Sequence, residues 1–389
     1  MDFTFSDEQL LIQETATAAM EELSDNASVR QAMQSDLGYD PAVWQKVCQE
    51  LYWPAMHIPE DFGGLGLGYV ELAITLEAMG KNLFCSPFLS SVGLAANALM
   101  VAGDEKQKAR WLPAIAQGEV ATLAFSGQSA SWDADAVTAT FTSDANESGF
   151  LINGQCRYVT DGNSASFAIV AAKAPCTKNG LFISLFVIDL KADGVNVAAL
   201  PTMDQTRRLS ALSFDNVSVS QDCLLGDLGQ ATDNLESILD LARIAVAADQ
   251  VGGAQKALDV SVDYLQDRVQ FGRQLASYQV LKHKCADMML KVEASRSALY
   301  YAACVADEFL AGRSSRDQLS EAASIAKGYA SDAYFFNAGC GIQLHGGVGF
   351  TQEYAIQLYF KRAKSTESFL GGGDFHRQRL AAMLLDSEA

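Results

Sequence analysis

Residues 150–162 read Phe150-Leu151-Ile152-Asn153-Gly154-Gln155-Cys156-Arg157-Tyr158-Val159-Thr160-Asp161-Gly162. This is a β-prone stretch containing two turn signals, Asn153-Gly154 and Asp161-Gly162. Two more apolar runs follow, Phe167-Ala168-Ile169-Val170 and Leu185-Phe186-Val187-Ile188, with Asp193-Gly194 after them. Short strands at this spacing, with no helical pattern between them, predict a small antiparallel β barrel or sandwich over residues 121–230.

On either side the periodicity turns helical. Residues 1–120 open with an amphipathic run through Phe5, Leu10, Leu11 and Ile12, with Ser6 as N-cap and Asp7 and Glu8 in the first turn. Val70, Leu72, Ala73, Leu76 and Met79 keep the same period. Between them, Pro59-Glu60-Asp61-Phe62-Gly63-Gly64-Leu65-Gly66-Leu67-Gly68 is dense in glycine but lacks the G-x-G-x-x-G spacing and follows no strong strand. It reads as a structural turn, not a dinucleotide phosphate loop. Residues 231–389 carry three long helical patterns: Leu239 to Gln270, Tyr278 to Leu310 and Ser320 to Gln343. Leu241, Ile244, Ala245, Ala248 and Val251 share one face of the first. Helices of that length pack as a bundle. The fold class is therefore α+β multidomain, with a helical N-terminal domain, a middle β domain and a C-terminal helical bundle.

The 389 residues are 49% hydrophobic and 19% charged, too apolar for disorder. A net charge of −19 argues against nucleic acid, whose binding rests on neutralising phosphates with Lys and Arg. Cys48, Cys85, Cys156, Cys176, Cys223, Cys285, Cys304 and Cys340 form no C-x-x-C pair, and the four histidines are isolated. We expect free thiols and no metal site. Met1-Asp2-Phe3-Thr4-Phe5 shows no targeting character, so the expected location is cytoplasmic. Asn82 to Gly103 is uncharged, but Ser86, Pro87, Ser90, Ser91 and Asn97 interrupt it. A turn followed by a buried helix is expected there, not a membrane span.

Four strings, in order along nearly the whole chain, resemble the acyl-CoA dehydrogenase family. Pro59-Glu60-Asp61-Phe62-Gly63-Gly64-Leu65-Gly66 is similar to its Pro-Glu-x-x-Gly-Gly-x-Gly. Asn153 to Gly162 is similar to its Asn-Gly-x-Lys-x-(Trp/Tyr)-Ile-(Thr/Ser)-Asn-Gly. Arg268-Val269-Gln270-Phe271-Gly272 matches Arg-x-x-Phe-Gly, and Gln343-Leu344-His345-Gly346-Gly347-Val348-Gly349-Phe350 matches Gln-x-x-Gly-Gly-x-Gly-(Phe/Tyr). The resemblance implies a four-helix C-terminal bundle and an FAD whose isoalloxazine lies between the β domain and that bundle. It implies Tyr158 as an aromatic wall beside the ring and Thr160 as a hydroxyl at its polar edge. It further implies that Arg268 neutralises the pyrophosphate, Phe271 packs on the adenine side and Gln343 hydrogen-bonds there, while Gly346 and Gly347 allow close backbone approach. In the family these groups serve a neighbouring subunit's FAD, so a homo- or hetero-oligomer, dimer or tetramer, is expected.

Two departures stand out. The family's Thr-Glu-Pro-x-x-Gly-Ser-Asp loop corresponds to Ser126-Gly127-Gln128-Ser129-Ala130-Ser131-Trp132-Asp133. Ser126 keeps a hydroxyl for the flavin, but Trp132 replaces a small serine. The general base is also missing. The family's glutamate follows an Arg-x-Ala-Lys-like segment, and in the run from Arg362 to Gly373 its position holds Leu370. Its alternative position on the first bundle helix holds Ala242. Losing a general base costs roughly 10²–10⁴-fold in rate. The Leu370 N–H still remains to bind a thioester carbonyl.

The resemblance thus implies α,β-dehydrogenation of an acyl-CoA by a subunit whose base a partner chain supplies. Heteromeric members of this kind act on steroid or other ring-bearing thioesters. The alternatives are a self-sufficient homo-oligomer with a relocated base, Glu367 or Asp374, and a non-catalytic flavin or acyl-CoA binding protein. Arg243 is expected to bind substrate at its CoA portion, and an electron-transferring flavoprotein is the expected acceptor.

Overall fold

The computed structural model of the chain describes residues 5–129, 131–144, 149–175 and 182–385. Met1 to Thr4, Ala130 and Cys176 lie outside the described residues. The N-terminal part is helical: α1 (Asp7–Leu23), α2 (Asn26–Gln34), α3 (Pro41–Gln49), α4 (Tyr69–Lys81), α5 (Asn97–Ala102) and α6 (Glu105–Ala116). Strands follow: β1 (Ala121–Ala124), β2 (Thr140–Ser143), β3 (Gly149–Thr160), β4 (Phe167–Lys173), β5 (Ile183–Asp189), β6 (Val195–Leu200), β7 (Leu209–Ser220) and β8 (Leu224–Leu225). The C-terminal part returns to helices: α7 (Thr232–Asp267), a hairpin of β9 (Val269–Gln270) and β10 (Arg273–Gln274), α8 (Gln279–Leu310), α9 (Arg316–His345), α10 (Ile356–Ser368) and α11 (Gly373–Leu385).

These elements form two compact units, each discontinuous in sequence. The first gathers Met1–Gln31, Tyr69–Phe84 and Arg243–Ala389; the second gathers Ala32–Gly68 and Cys85–Ala242.

In the second unit the strand order is β6-β7-β3-β2-β4-β5-β8, with β1 pairing β4 off that path. Most ladders are antiparallel, as expected, but β1 runs parallel to β4 and β2 touches β4 in parallel at Thr140–Lys173. The sheet is therefore mixed, not wholly antiparallel. Its core stacks Phe141, Phe150 and Phe186, with ring centroids 5.2–6.0 Å apart. Asn153-Gly154 does not turn the chain. It lies inside β3, where the register against β7 shifts between Ile152 and Gly154 and Gly154 takes φ +114°. The glycine that suggested a hairpin serves a bulge instead. Asp161 and Gly162 do turn the chain, directly after β3.

The glycine-rich loop is structural, as expected. Gly66 and Leu67 donate their N–H groups to the carbonyls of Ile58 and Met56, and a Cβ on Gly64 would lie 1.8 Å from the Ile58 oxygen. Leu89–Ala96 is a buried π-helical turn leading into α5, and no helix among the described residues is long and apolar enough to cross a membrane. In the same unit His57 is buried, its Nε2 3.0 Å from Asn97 Oδ1, and burial pushes its pKa down to about 4. Unfolding restores an ordinary imidazole near 6.5. The unfolded chain therefore binds more protons between those values, and stability falls as pH drops from about 6.5 towards 4. Urea midpoints across that window should show the fall, and His57→Gln should lessen it by the share His57 contributes, the depressed His376 keeping its own.

In the first unit, Ser6 caps α1, as expected, and Gln9 completes a capping box that goes beyond that expectation. Asp307 of α8 caps α4, accepting from the N–H groups of Tyr69 (2.5 Å) and Val70 (3.4 Å). Helices α4 and α7 cross through glycines: a Cβ on Gly252 would lie 1.9 Å from the Glu77 oxygen, and one on Gly80 2.1 Å from the Asp249 oxygen. Close approach there encloses an ion pair, Arg362 Nη1 to Asp249 Oδ1 at 3.0 Å.

Candidate functional site

In the second unit, the candidate residues cluster around the end of β3. The strand carries a second irregularity between Cys156 and Val159, and within it Tyr158 adopts φ +58°. A left-handed tyrosine is costly and aims its ring differently from a regular strand residue. The Trp132 ring lies 6.2 Å from Phe125 and 6.1 Å from Tyr158, and the Arg157 guanidinium lies 5.7 Å from the Tyr158 ring centre. Thr160 is 1% exposed; its carbonyl accepts from Thr122 Oγ1, but its own Oγ1 is buried without a partner. A buried hydroxyl left unsatisfied calls for an acceptor or donor from a ligand. Ser126 differs. Its hydroxyl donates to the Ser131 carbonyl at 3.0 Å, within the loop that carries Trp132.

In the first unit, two sequence strings far apart in the chain come together at one end of the bundle. Tyr264, near the end of α7, stacks on His345 of α9 with ring centroids 4.4 Å apart and an interplanar angle of 22°. His345 Nδ1–H donates to the Gly341 carbonyl at 2.7 Å, which fixes the ring. Arg268 directly precedes the hairpin that follows Tyr264, Phe271 lies at its turn, and Gly346 and Gly347 follow His345 directly. Leu265, Leu275, Leu344 and Cys340 pack in one apolar cluster beneath them. Phe271 is 90% exposed at φ +53°, Arg268 is exposed, and nothing stands within 4 Å of a Cβ built on Gly346 or Gly347. A bare aromatic ring, an exposed guanidinium and open glycine backbone match what an adenine and a pyrophosphate require. Gln343 lines an adjoining groove of about 660 Å³ with Phe335, Phe336 and Leu344.

The Leu370 turn, also in the first unit, is the third part. Leu370 is 1% exposed at φ +60°, followed by Gly371 at φ +99°. Its carbonyl accepts from Arg243 Nε at 3.4 Å and lies 3.1 Å from His376 Nε2. A carbonyl only accepts, so Nε2 carries the proton, and burial beside Lys327 and Arg243 pushes the His376 pKa down to about 2. Lys327 of α9 is fully buried, its Nζ donating to the carbonyls of Gly371 (2.7 Å) and Thr366 (3.1 Å). Burial, then the Arg243 charge, pushes it down to about 7.

Arg243 therefore sits fully buried behind the turn, bound to its backbone. The two substitute carboxylates are otherwise engaged. Glu367 pairs with Lys364 at 2.7 Å, and Asp374, 93% exposed at the start of α11, pairs with Arg377 at 2.6 Å. Ala242 is fully buried. Motif and periodicity do not single out Lys327, although a single charge in the small, uncharged run Ala322-Ala323-Ser324-Ile325-Ala326-Lys327-Gly328 is a usable signal. All seven described cysteines are free, and no metal-binding group occurs among the described residues.

The family model described as "Acyl-CoA dehydrogenase, N-terminal domain" matches residues 6–119, and "Acyl-CoA dehydrogenase, C-terminal domain" matches residues 232–385. "Acyl-CoA dehydrogenase IpdE2" of Mycolicibacterium smegmatis is 32% identical over 378 residues, covering 97% of this chain and 99% of that protein. The structure of butyryl-CoA dehydrogenase from Megasphaera elsdenii superposes with a TM-score of 0.87 at 26% identity, covering 99% of this chain and 100% of that one. The structure of the "Tcur3481-Tcur3483 steroid ACAD G363A variant" gives a TM-score of 0.86 at 28% identity, covering 98% and 99%.

Proposed function

Because the chain belongs to the acyl-CoA dehydrogenase family, a family of FAD-dependent oxidoreductases acting on CH–CH bonds, we propose that it serves as a base-deficient subunit of such an enzyme. Its partner is a second family chain that carries the glutamate. The observation that carries this reading is Leu370, a buried hydrocarbon at the family's base position, in a turn whose backbone geometry is tightly held. A leucine accepts no proton, and the nearby carboxylates of Glu367 and Asp374 are already paired.

Bound FAD would supply the acceptor for the hydride leaving the substrate's β-carbon. This chain's residues do the rest by binding and orienting. Arg268, Phe271, Gln343, Gly346 and Gly347 would hold the adenine and pyrophosphate of an FAD shared with the partner. Tyr158 and Thr160 would meet a flavin ring on the β side, where the Trp132 ring lies 6.1 Å from that of Tyr158 and the Ser126 hydroxyl is bonded to the Ser131 carbonyl. The Leu370 N–H receives the thioester carbonyl, and Arg243 steadies that turn from behind. Ring-bearing acyl groups suit this reading, since the similar Tcur3481–Tcur3483 protein is described as a steroid ACAD, and an electron-transferring flavoprotein, which the description of another similar structure names, is the acceptor. We place the chain in the cytoplasm, with functional segments at 1–120, 121–230 and 231–389.

Arg268→Ala and Phe271→Ala test the cofactor contacts directly. Both side chains are exposed, so folding should be unaffected. Losing a charge-assisted contact costs about 1.5–3 kcal/mol, roughly a 10- to 100-fold weaker hold on FAD for the arginine variant. Fluorescence titration of the deflavinated complex would read this, and unchanged affinity would exclude the assigned role.

A further inference from the structure

We infer that Lys327 is a positioning residue for acyl-thioester binding: it locks the Leu370–Gly371 turn so that the Leu370 N–H stays available to the thioester carbonyl. The inference rests on the thioester contact proposed above but concerns binding alone, so it holds with or without turnover in this chain.

Residue and backbone are mismatched at this turn. Leu370 sits in the left-handed region at φ +60°, which a leucine does not choose unaided. Such strain persists only where the surroundings over-determine it. Here they do, because Lys327 Nζ lies within hydrogen-bonding distance of the carbonyls of Thr366 (3.1 Å), Glu367 (3.4 Å) and Gly371 (2.7 Å), and of Ser331 Oγ (2.7 Å). Arg243 and His376 meet the Leu370 carbonyl itself. Every carbonyl around the turn that these groups reach is thereby consumed. Phe369 and Gly371 donate their N–H groups back to Ser365 and Ser368, while the Leu370 N–H between them finds no acceptor among the described residues.

A fully buried amine is a costly way merely to cap α10, since an ordinary C-terminal glycine motif would serve. What the amine adds is rigidity on the carbonyl side of a turn whose free group is a donor. That arrangement suits an oxygen-bearing ligand of the thioester type. It uses the backbone, so it survives the loss of a carboxylate side chain at position 370.

The test compares two ligands that differ only at the carbonyl: hexanoyl-CoA, a thioester, and S-hexyl-CoA, its thioether counterpart. Calorimetric titration of the flavin-loaded protein as purified should show the thioester binding about 3- to 10-fold tighter, the worth of one hydrogen bond. In Lys327→Met that preference should fall to near one, while S-hexyl-CoA binding stays within about twofold of the parent. A merely structural role would weaken both ligands together and would overturn the inference. So would an undiminished thioester preference in Lys327→Met. If that variant does not fold, Ser331→Ala, which removes one of the four acceptors, should still reduce the preference, and an unchanged preference there overturns the inference as well. Equal affinity for both ligands in the unaltered protein would instead remove the underlying thioester contact.

Discussion

Leu370→Glu should raise the rate of acyl-CoA-dependent flavin reduction by roughly 10²–10⁴-fold, the usual contribution of a positioned general base. The backbone there is already held at φ +60°, so the new carboxylate inherits a fixed direction instead of a mobile loop. Burial at 1% exposure disfavours the charged form and raises its pKa towards working pH, while the Arg243 guanidinium, bound to the same residue's carbonyl, keeps the rise moderate. Leu370→Gln has nearly the same shape and accepts no proton, so it should leave the rate unchanged. Stopped-flow bleaching under anaerobic conditions separates the two variants. Equal rates for the glutamate and glutamine variants, both folded and flavin-loaded, would show that more than the base has been lost, with Trp132 the first suspect.

Asp249→Ala should destabilise the first unit by about 3–5 kcal/mol, the cost of stranding one member of a buried ion pair. Arg362 is 1% exposed, and its Nη1 lies 3.0 Å from Asp249 Oδ1. The site cannot relax easily, because a Cβ on Gly80 would already lie 2.1 Å from the Asp249 carbonyl oxygen. Replacing both members, Asp249→Leu with Arg362→Met, should recover most of the loss, since the desolvation penalty disappears with the charges. Urea unfolding measures both variants, and a single variant costing no more than a surface substitution would contradict the burial.

The residues that announced themselves in the sequence did so through local chemistry. Ser6 caps α1, and the patterns from Tyr278 to Leu310 and from Ser320 to Gln343 became α8 and α9 with little change of boundary. Asn153-Gly154 misled because the same dipeptide serves a hairpin or a bulge, and only the partner strand decides which. Strand direction was hidden for a related reason: β1 pairs β4 in parallel across an intervening stretch of chain, a non-local choice invisible to alternation. The grouping of α1 and α4 with the bundle depends on contacts such as Asp307 with the α4 N-terminus, more than 200 positions away in sequence. On the cofactor side, the strings at Arg268 and Gln343 were legible, whereas their meeting through Tyr264 and His345 was not. His376 gave no sequence signal, since its role is set by the carbonyl it meets.

The most direct test of a base-deficient flavoprotein subunit is the visible spectrum of the purified chain, recorded anaerobically with hexanoyl-CoA, alone and mixed with a glutamate-bearing family chain. We expect the flavin band to hold in the chain alone and to bleach in the mixture. Bleaching by a homo-oligomer of this chain alone, or a preparation with no flavin in either state, would contradict it.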